Sequence, residues 1–229
     1  MVLFLLISIS KDETMTKLSF LKEIVGSDLG NPSKMPGYAW GISATLCNIG
    51  SKLRPISGTV CHKCYALKGN YLYESVVKSH ANRLAGYNAD PIAWRSAMAE
   101  LIRKRIPESA EEDDKYFRIF DSGDLQSEAM LRDWIWIAEQ LTDIQFWLPT
   151  KEYALIDGFM GTLPDNFVVR VSSPKIDMVP LKAYKFTSTV HDKSESHGFV
   201  CRAYERDGKC GDCRACWSRL VSNVSYPKH

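Results

Sequence analysis

Apolar and polar positions follow two periods along the chain, and the switches between them outline the fold. Leu18–Val25 (LSFLKEIV) reads as a short helix, and 26–37, with three glycines and two prolines, as loop. Tyr38–Ala44 (YAWGISA) reads as a strand, and 47–59 as a further loop around Gly50, Pro55 and Gly58. Helical spacing covers Tyr71–Leu84 and then Pro91–Arg105, where Pro91 follows a possible Asn88 or Asp90 cap. Tyr116–Phe120 (YFRIF) is a strand ending in the turn Asp121-Ser122-Gly123-Asp124. Ser127–Leu141 carries Met130, Trp134, Ile137 and Leu141 on one helical face. Ile144–Leu148, Asn166–Ser172 and Tyr184–Val190 read as strands, Lys151–Phe159 as a helix, and Phe199–Tyr204 as a last short strand.

Strands alternating with helices predict an α/β fold with a largely parallel sheet. Five or six strands form an open wound sheet or part of a barrel, and the expectation here is a partial (β/α) TIM-like barrel with a Cys-rich C-terminal extension. The implied division is an N-terminal extension over 1–15, the barrel over 16–200 and the Cys-rich segment over 201–229. Ligands of such folds sit beyond the carboxyl ends of the strands. Asp121–Asp124, Thr150-Lys151, Ser172-Ser173 and Ser188-Thr189 should therefore converge on one face.

With 229 residues, 45% hydrophobic and 24% charged, the chain can bury one large core, which excludes wholesale disorder. The 29 basic and 27 acidic residues leave +2, no electrostatic case for a dedicated nucleic-acid binder, although a local patch stays open. No apolar run is long enough for a membrane-spanning helix. The opening MVLFLLISIS lacks a preceding basic region and a following small-residue cleavage site. It reads as a strand or extension rather than a secretory signal, with Met15 as an alternative start.

Seven cysteines, an odd number in two tight groups, suit metal ligation in a reducing compartment better than a disulfide scaffold, hence a cytoplasmic protein. The first group is Cys47-x13-Cys61-x2-Cys64. Three thiolates suit a [4Fe–4S] cluster with one iron left open, and are one short of a closed zinc site. The second is Cys201-x8-Cys210-x2-Cys213-x2-Cys216. Its paired two-residue spacings are closer to ferredoxin-type ligation than to zinc fingers, and its four thiolates complete a [4Fe–4S] site; a four-cysteine zinc knuckle is the alternative. Three and four account for every cysteine.

The stretch Cys61-His62-Lys63-Cys64-Tyr65-Ala66-Leu67-Lys68-Gly69, with Tyr71 and Asn82, resembles the signature of the phage-encoded gene product 88 family. Ser122-Gly123-Asp124, Phe146-Trp147 with Thr150-Lys151, and the closing Cys-x2-Cys-x2-Cys-Trp match its pattern, over roughly Ser43 to Trp217. That resemblance implies a protein of the phage-infected host cell. A wider resemblance is to radical S-adenosylmethionine enzymes, which are partial barrels with three cysteines after the first strand. It implies an open-iron cluster on Cys47, Cys61 and Cys64, S-adenosylmethionine contacts from Ser122, Gly123 and Asp124, and an enzyme with Asp124 and Lys151 in catalytic roles. Lys151 and Arg170 would then hold an anionic small-molecule substrate, and a redox partner would supply electrons. The thirteen-residue first gap and Lys63 before the last cysteine depart from the usual pattern. Two other readings stay open: an iron–sulfur protein independent of S-adenosylmethionine, acting as Lewis acid or electron carrier, and a zinc-stabilised interaction or nucleic-acid-binding protein. Asp121 and Asp124 also read as caps of the next helix, His191 and His197 as members of a solvated loop, and Trp217 as a shield for the second group.

Overall fold

A computed structural model describes residues 17–228; the expectations for the first fifteen residues lie outside this range. Seven strands form one sheet: β1 (Tyr38–Trp40), β2 (Tyr116–Ile119), β3 (Gln145–Thr150), β4 (Phe167–Ile176), β5 (Thr187–His191), β6 (Phe199–Val200) and β7 (Asn223–Pro227). Among the described residues every pairing between these strands is parallel, in the order β1-β2-β3-β4-β5-β7-β6; Gly30 and Thr59 add isolated antiparallel bridges to β1 and β4. The α/β class and parallel sheet are as the periodicity implied. The sheet is open, with β1 and β6 at its edges, so the TIM-like closure is not seen, and the insertion of β7 breaks the chain order. The helices are α1 (Leu18–Val25), α2 (Asn48–Leu53), α3 (Glu74–Ala89), α4 (Pro91–Arg105), α5 (Glu128–Gln140) and α6 (Tyr153–Gly158).

Local chemistry sets the helix ends. The Asp90 carboxylate accepts from the amides of Ile92 and Ala93 at 3.0 Å each, with Pro91 in the first turn of α4. Ser127 caps α5 by accepting from Met130 N at 3.1 Å. The expected helix over Tyr71–Leu84 instead runs from Glu74 to Ala89, because Gly69–Leu72 first makes a 3-10 turn. The strand expected over Tyr38–Ala44 stops at Trp40, and Ala44–Leu46 turns into 3-10 helix. Only Phe199–Val200 of the last expected strand pairs.

The two faces of the sheet differ. Phe117, Ile119, Phe146, Leu148, Val169 and Val171 point into the helix layer and join the main core. There Trp40, Trp94 and Trp134 meet edge to face, with ring centres 5.2–5.5 Å apart. The alternate residues, Ala39, Arg118, Trp147 and Arg170 among them, face the other way. This inner face is covered by residues 201–222, the crossover from β6 to β7. Trp217 donates from Nε1 to Phe117 O at 3.0 Å and packs edge-on against Trp147 and Tyr116.

Candidate functional site

The first cysteine group is assembled by three short elements. Cys47 sits at the N-terminus of α2, and its carbonyl accepts from Ser51 N. Cys61 and Cys64 follow a loop fixed by β4. That strand runs on to Ile176 instead of stopping at Ser172, because Val60 N donates to Pro174 O at 2.9 Å and Ile176 N to Gly58 O at 2.9 Å. The two sulfurs Cys47 Sγ and Cys61 Sγ both lie against Gly50, where a β-carbon would stand 3.5 and 3.7 Å from them and 2.9 Å from Cys47 Cβ. Gly50 thus allows two thiols to approach one backbone closely.

Burial pushes the Cys47 thiol up to about 12, helped by the charges of Asp124, Cys64, Cys61 and Glu152. Cys61 is raised as well, first by burial, while the Lys151 ammonium opposes the shift. The three thiols therefore share one neighbourhood with Asp124, Lys151 and Glu152, at the carboxyl ends of β2 and β3. An open groove lined by Thr45, Leu46, Cys47, Asn48, Ser51 and Lys52 borders them.

Asp124 is buried, and its oxygens are taken by the protein. Oδ1 accepts from Leu125 N at 2.8 Å and Thr150 Oγ1 at 2.7 Å, and Oδ2 from Lys151 N at 2.9 Å. It ties the β2 turn to the β3 turn. Ser122 is buried with an unpartnered Oγ, and Gly123 holds φ at 82° against Ile42. Lys151 has no carboxylate within salt-bridge distance among the described residues. Ser122, Gly123, Asp124 and Lys151 thus stand at the same strand ends as the first group, as the topology implied.

Burial pushes the Asp124 carboxyl up to about 6, against its hydrogen bonds from Thr150 and the Lys151 amide. A carboxyl whose folded value lies above its unfolded one binds more protons folded than unfolded. Its charge penalises folding above pH 6, and the penalty fades as pH falls toward 4. In chelator-treated protein, lowering the pH from about 7.5 to 5 should raise stability relative to Asp124→Asn by roughly 1.4 kcal/mol, since pH 5 lies about one unit below the folded value. Urea midpoints at both pH values check this; parallel shifts in the two proteins would refute the assignment.

The second group lies on the inner face. Cys201 N donates to Ser225 O at 2.9 Å, Cys210 N to Lys34 O at 2.8 Å and Cys213 N to Cys210 O at 3.2 Å. Cys216 Sγ is 3.1 Å from Tyr226 OH. Burial pushes the Cys216 thiol up to about 12; the Tyr226 hydrogen bond and Arg170 work against this, and Cys201 and Cys210 with it. Cys210 is raised by burial, then by Cys201 and Cys213. Gly208 and Gly211 turn the chain with φ of 79° and 55°.

Arg170, expected to hold substrate or meet solvent, does neither. It is fully buried and donates to Cys216 O at 2.8 Å, Ala215 O at 2.9 Å, Ser218 O at 2.7 Å, and Thr187 and Ser222 O at 3.4 Å. Every donor direction is spent on backbone carbonyls, most of them in the Cys-rich crossover. His191 Nδ1 pairs with Ser225 Oγ at 2.8 Å, and the His197 carbonyl accepts from Asn223.

Two further residues hold the site together. Glu152 is buried and accepts from Ile49 N at 3.0 Å, satisfying the first turn of α2 and pinning Cys47 to the end of β3. Arg118 stacks 4.6 Å over Trp147 and donates to Tyr65 OH at 3.1 Å. Burial acts against its charge, but Tyr65, Asp121 and Tyr226 together raise its affinity for the proton. An isolated charge inside the strand YFRIF was the available signal for Arg118, and an acid directly after a strand end the signal for Glu152.

Among the described residues, no three His, Cys, Asp or Glu side chains form a ready grip for a metal ion. No helix among them is long and apolar enough to cross a membrane. The family model described as gene product 88 matches residues 16–219. Comparison with curated proteins and with solved structures finds no match.

Proposed function

Since the chain belongs to the gene product 88 family, whose resemblance includes both cysteine groups, we propose that it is an iron–sulfur protein with one open-iron and one saturated cluster. The observation that carries this reading is the convergence of all seven cysteines into two neighbourhoods, three thiols at the carboxyl ends of β2 and β3 and four on the inner face. The donor set fits: soft thiolates suit iron–sulfur clusters, and three of them leave one coordination position free. Cys47, Cys61 and Cys64 would hold the first cluster, and Cys201, Cys210, Cys213 and Cys216 the second. Such a cluster supplies Lewis-acid or one-electron chemistry at its open iron. A four-cysteine zinc site at the second group is the alternative reading.

The chain's own part is positional. Lys151 and Arg54 offset thiolate charge at Cys61, and Arg118 and Arg214 do so at Cys210. Glu152 fixes the Cys47 turn, and Arg170 fixes the crossover. The parallel run β1 to β5 in chain order, with its loops gathered at one end, supports the partial-barrel reading. Ser122, Gly123 and Asp124 border that end, where an S-adenosylmethionine molecule would meet the open iron; with Asp124 occupied by three donors, Ser122 Oγ and Asp121 Oδ1 are the buried polar atoms of that turn without a partner. In this reading the protein is an enzyme acting on a small molecule, in the cytoplasm of a phage-infected cell.

Anaerobic purification with iron, sulfide and zinc analysis tests the proposal. The expected sample is brown, absorbs near about 400 nm and holds roughly seven or eight irons, the content of two cubanes. Cys61→Ala should remove about half of the iron and Cys213→Ala the other half. A colourless protein with stoichiometric zinc would overturn the reading. A change in the reduced protein's paramagnetic resonance on adding S-adenosylmethionine separates the cofactor-dependent form from the independent one.

A further inference from the structure

The mouth of the site carries a feature that neither cluster uses. Between residues 44 and 80 stand five basic side chains (Lys52, Arg54, Lys63, Lys68 and Lys78) and a single acid, Glu74. This in a chain whose charges otherwise nearly cancel is a local concentration of positive charge. Lys52, Lys63, Lys68 and Lys78 are exposed, and none has a carboxylate within salt-bridge distance among the described residues. The same stretch exposes large apolar side chains: Tyr65 is 57% exposed, Leu72 64% and Tyr73 62%. Its segments pack on one another, with Ala44–Leu46 against Tyr65–Leu67 and the latter against Gly69–Leu72.

Tyr65 is the informative residue. An exposed tyrosine ordinarily leaves its hydroxyl in water and its ring free to turn. Here the hydroxyl donates to Asp121 O at 2.7 Å and accepts from Arg118 Nη2 at 3.1 Å. The ring also meets Tyr71 edge-on at 5.7 Å. The hydroxyl is thus held on the protein while more than half of the residue faces solvent. A tethered ring loses little freedom when a planar group stacks on it. A tethered ring at Tyr65 and an exposed one at Tyr73, among unpaired lysines, are the elements of a single-strand nucleic-acid platform, where cations follow the phosphates and rings take the bases. An acidic protein would satisfy the lysines, but gives no reason to hold an aromatic ring still.

We propose that the 44–80 surface binds single-stranded nucleic acid, with Lys63 and Lys68 on the phosphates and Tyr65 and Tyr73 stacking on bases. This does not rest on the iron–sulfur reading, because every residue named lies outside the two thiol sets. The test uses the full chain and fluorescein-labelled single-stranded DNA and RNA of about 20 nucleotides, long enough for a typical single-strand site. Anisotropy is read between about 50 and 200 mM salt. Binding that weakens steeply with salt is expected. The double variant Lys63→Glu/Lys68→Glu should weaken it at least about tenfold and flatten the salt slope. Tyr73→Ala should cost about fivefold or more by loss of one stacking contact. Lys104→Glu, in the last turn of α4, should change little. No binding at the lowest salt overturns the proposal, as does equal loss in Lys104→Glu. Competition by polyglutamate as strong as by the oligonucleotide would assign the surface to an acidic protein, and equal affinity for duplex would remove the stacking role.

Discussion

Arg170→Met should destabilise the protein by about 3–5 kcal/mol, the range for removing one partner of a buried charged network. The guanidinium sits on the inner face with no exposure and holds the carbonyls of Ala215, Cys216 and Ser218 at 2.7–2.9 Å. Methionine fills much of the volume but donates nothing, so these carbonyls lose their partner together. Each buried, unpaired carbonyl costs about 1–3 kcal/mol. Arg170→Lys should recover only part of the loss, since one ammonium cannot reproduce the planar fork. Urea unfolding gives the number. A second readout separates local from global effects: the Cys213 and Cys216 thiols should react faster with a thiol reagent in Arg170→Met below its unfolding transition. A loss under about 1 kcal/mol with unchanged thiol reactivity would show that the clamp carries no weight.

Gly123→Ala is the second large effect. Gly123 holds φ at 82°, a left-handed conformation that costs a residue with a β-carbon about 1–2 kcal/mol. The added methyl would also overlap Ile42 Cγ1 and stand 2.8 Å from Ile42 O. The neighbour is backbone on one side and a fully buried side chain on the other, so neither yields easily. Overpacking of this kind adds about 1–3 kcal/mol, giving an expected total of about 2–5 kcal/mol. Ile42 lies between β1 and the Cys47 turn, so the displacement should also change the accessibility of Cys47. Denaturant midpoints and Cys47 alkylation rates check both parts. A neutral variant would mean that the turn tolerates a flipped peptide at Gly123.

The parts of the fold legible in the sequence were those set by local chemistry. Pro91–Arg105 announces itself through Asp90 and Pro91, and the strands at 116, 145, 167 and 187 through β-branched and aromatic runs. What failed was set by distant partners. The extension of β4 to Ile176 exists because the loop at Gly58 and Val60 bonds to it. β7 passed unseen because Asn223–Pro227 (NVSYP) has weak alternation, and its place between β5 and β6 supplies the stability. The short helix Asn48–Leu53 depends on Glu152, about a hundred residues away. In the site, cysteine spacing marked the two groups, while Arg170 carried no local sign of facing carbonyls rather than a ligand.

The crossover from β6 to β7 ties two processes together. Parallel neighbours need a long return connection, ordinarily a helix. Here that span is the Cys-rich segment itself, with all four thiols of the second group between Val200 and Asn223. Any agent that gathers those thiols shortens the free loop and lowers the entropy cost of seating β7. By reciprocity, a seated β7 presents the thiols already gathered. If a metal occupies these thiols, its binding and completion of the sheet form one linked equilibrium, and the metal-free chain should then lose its seventh strand before it loses its core.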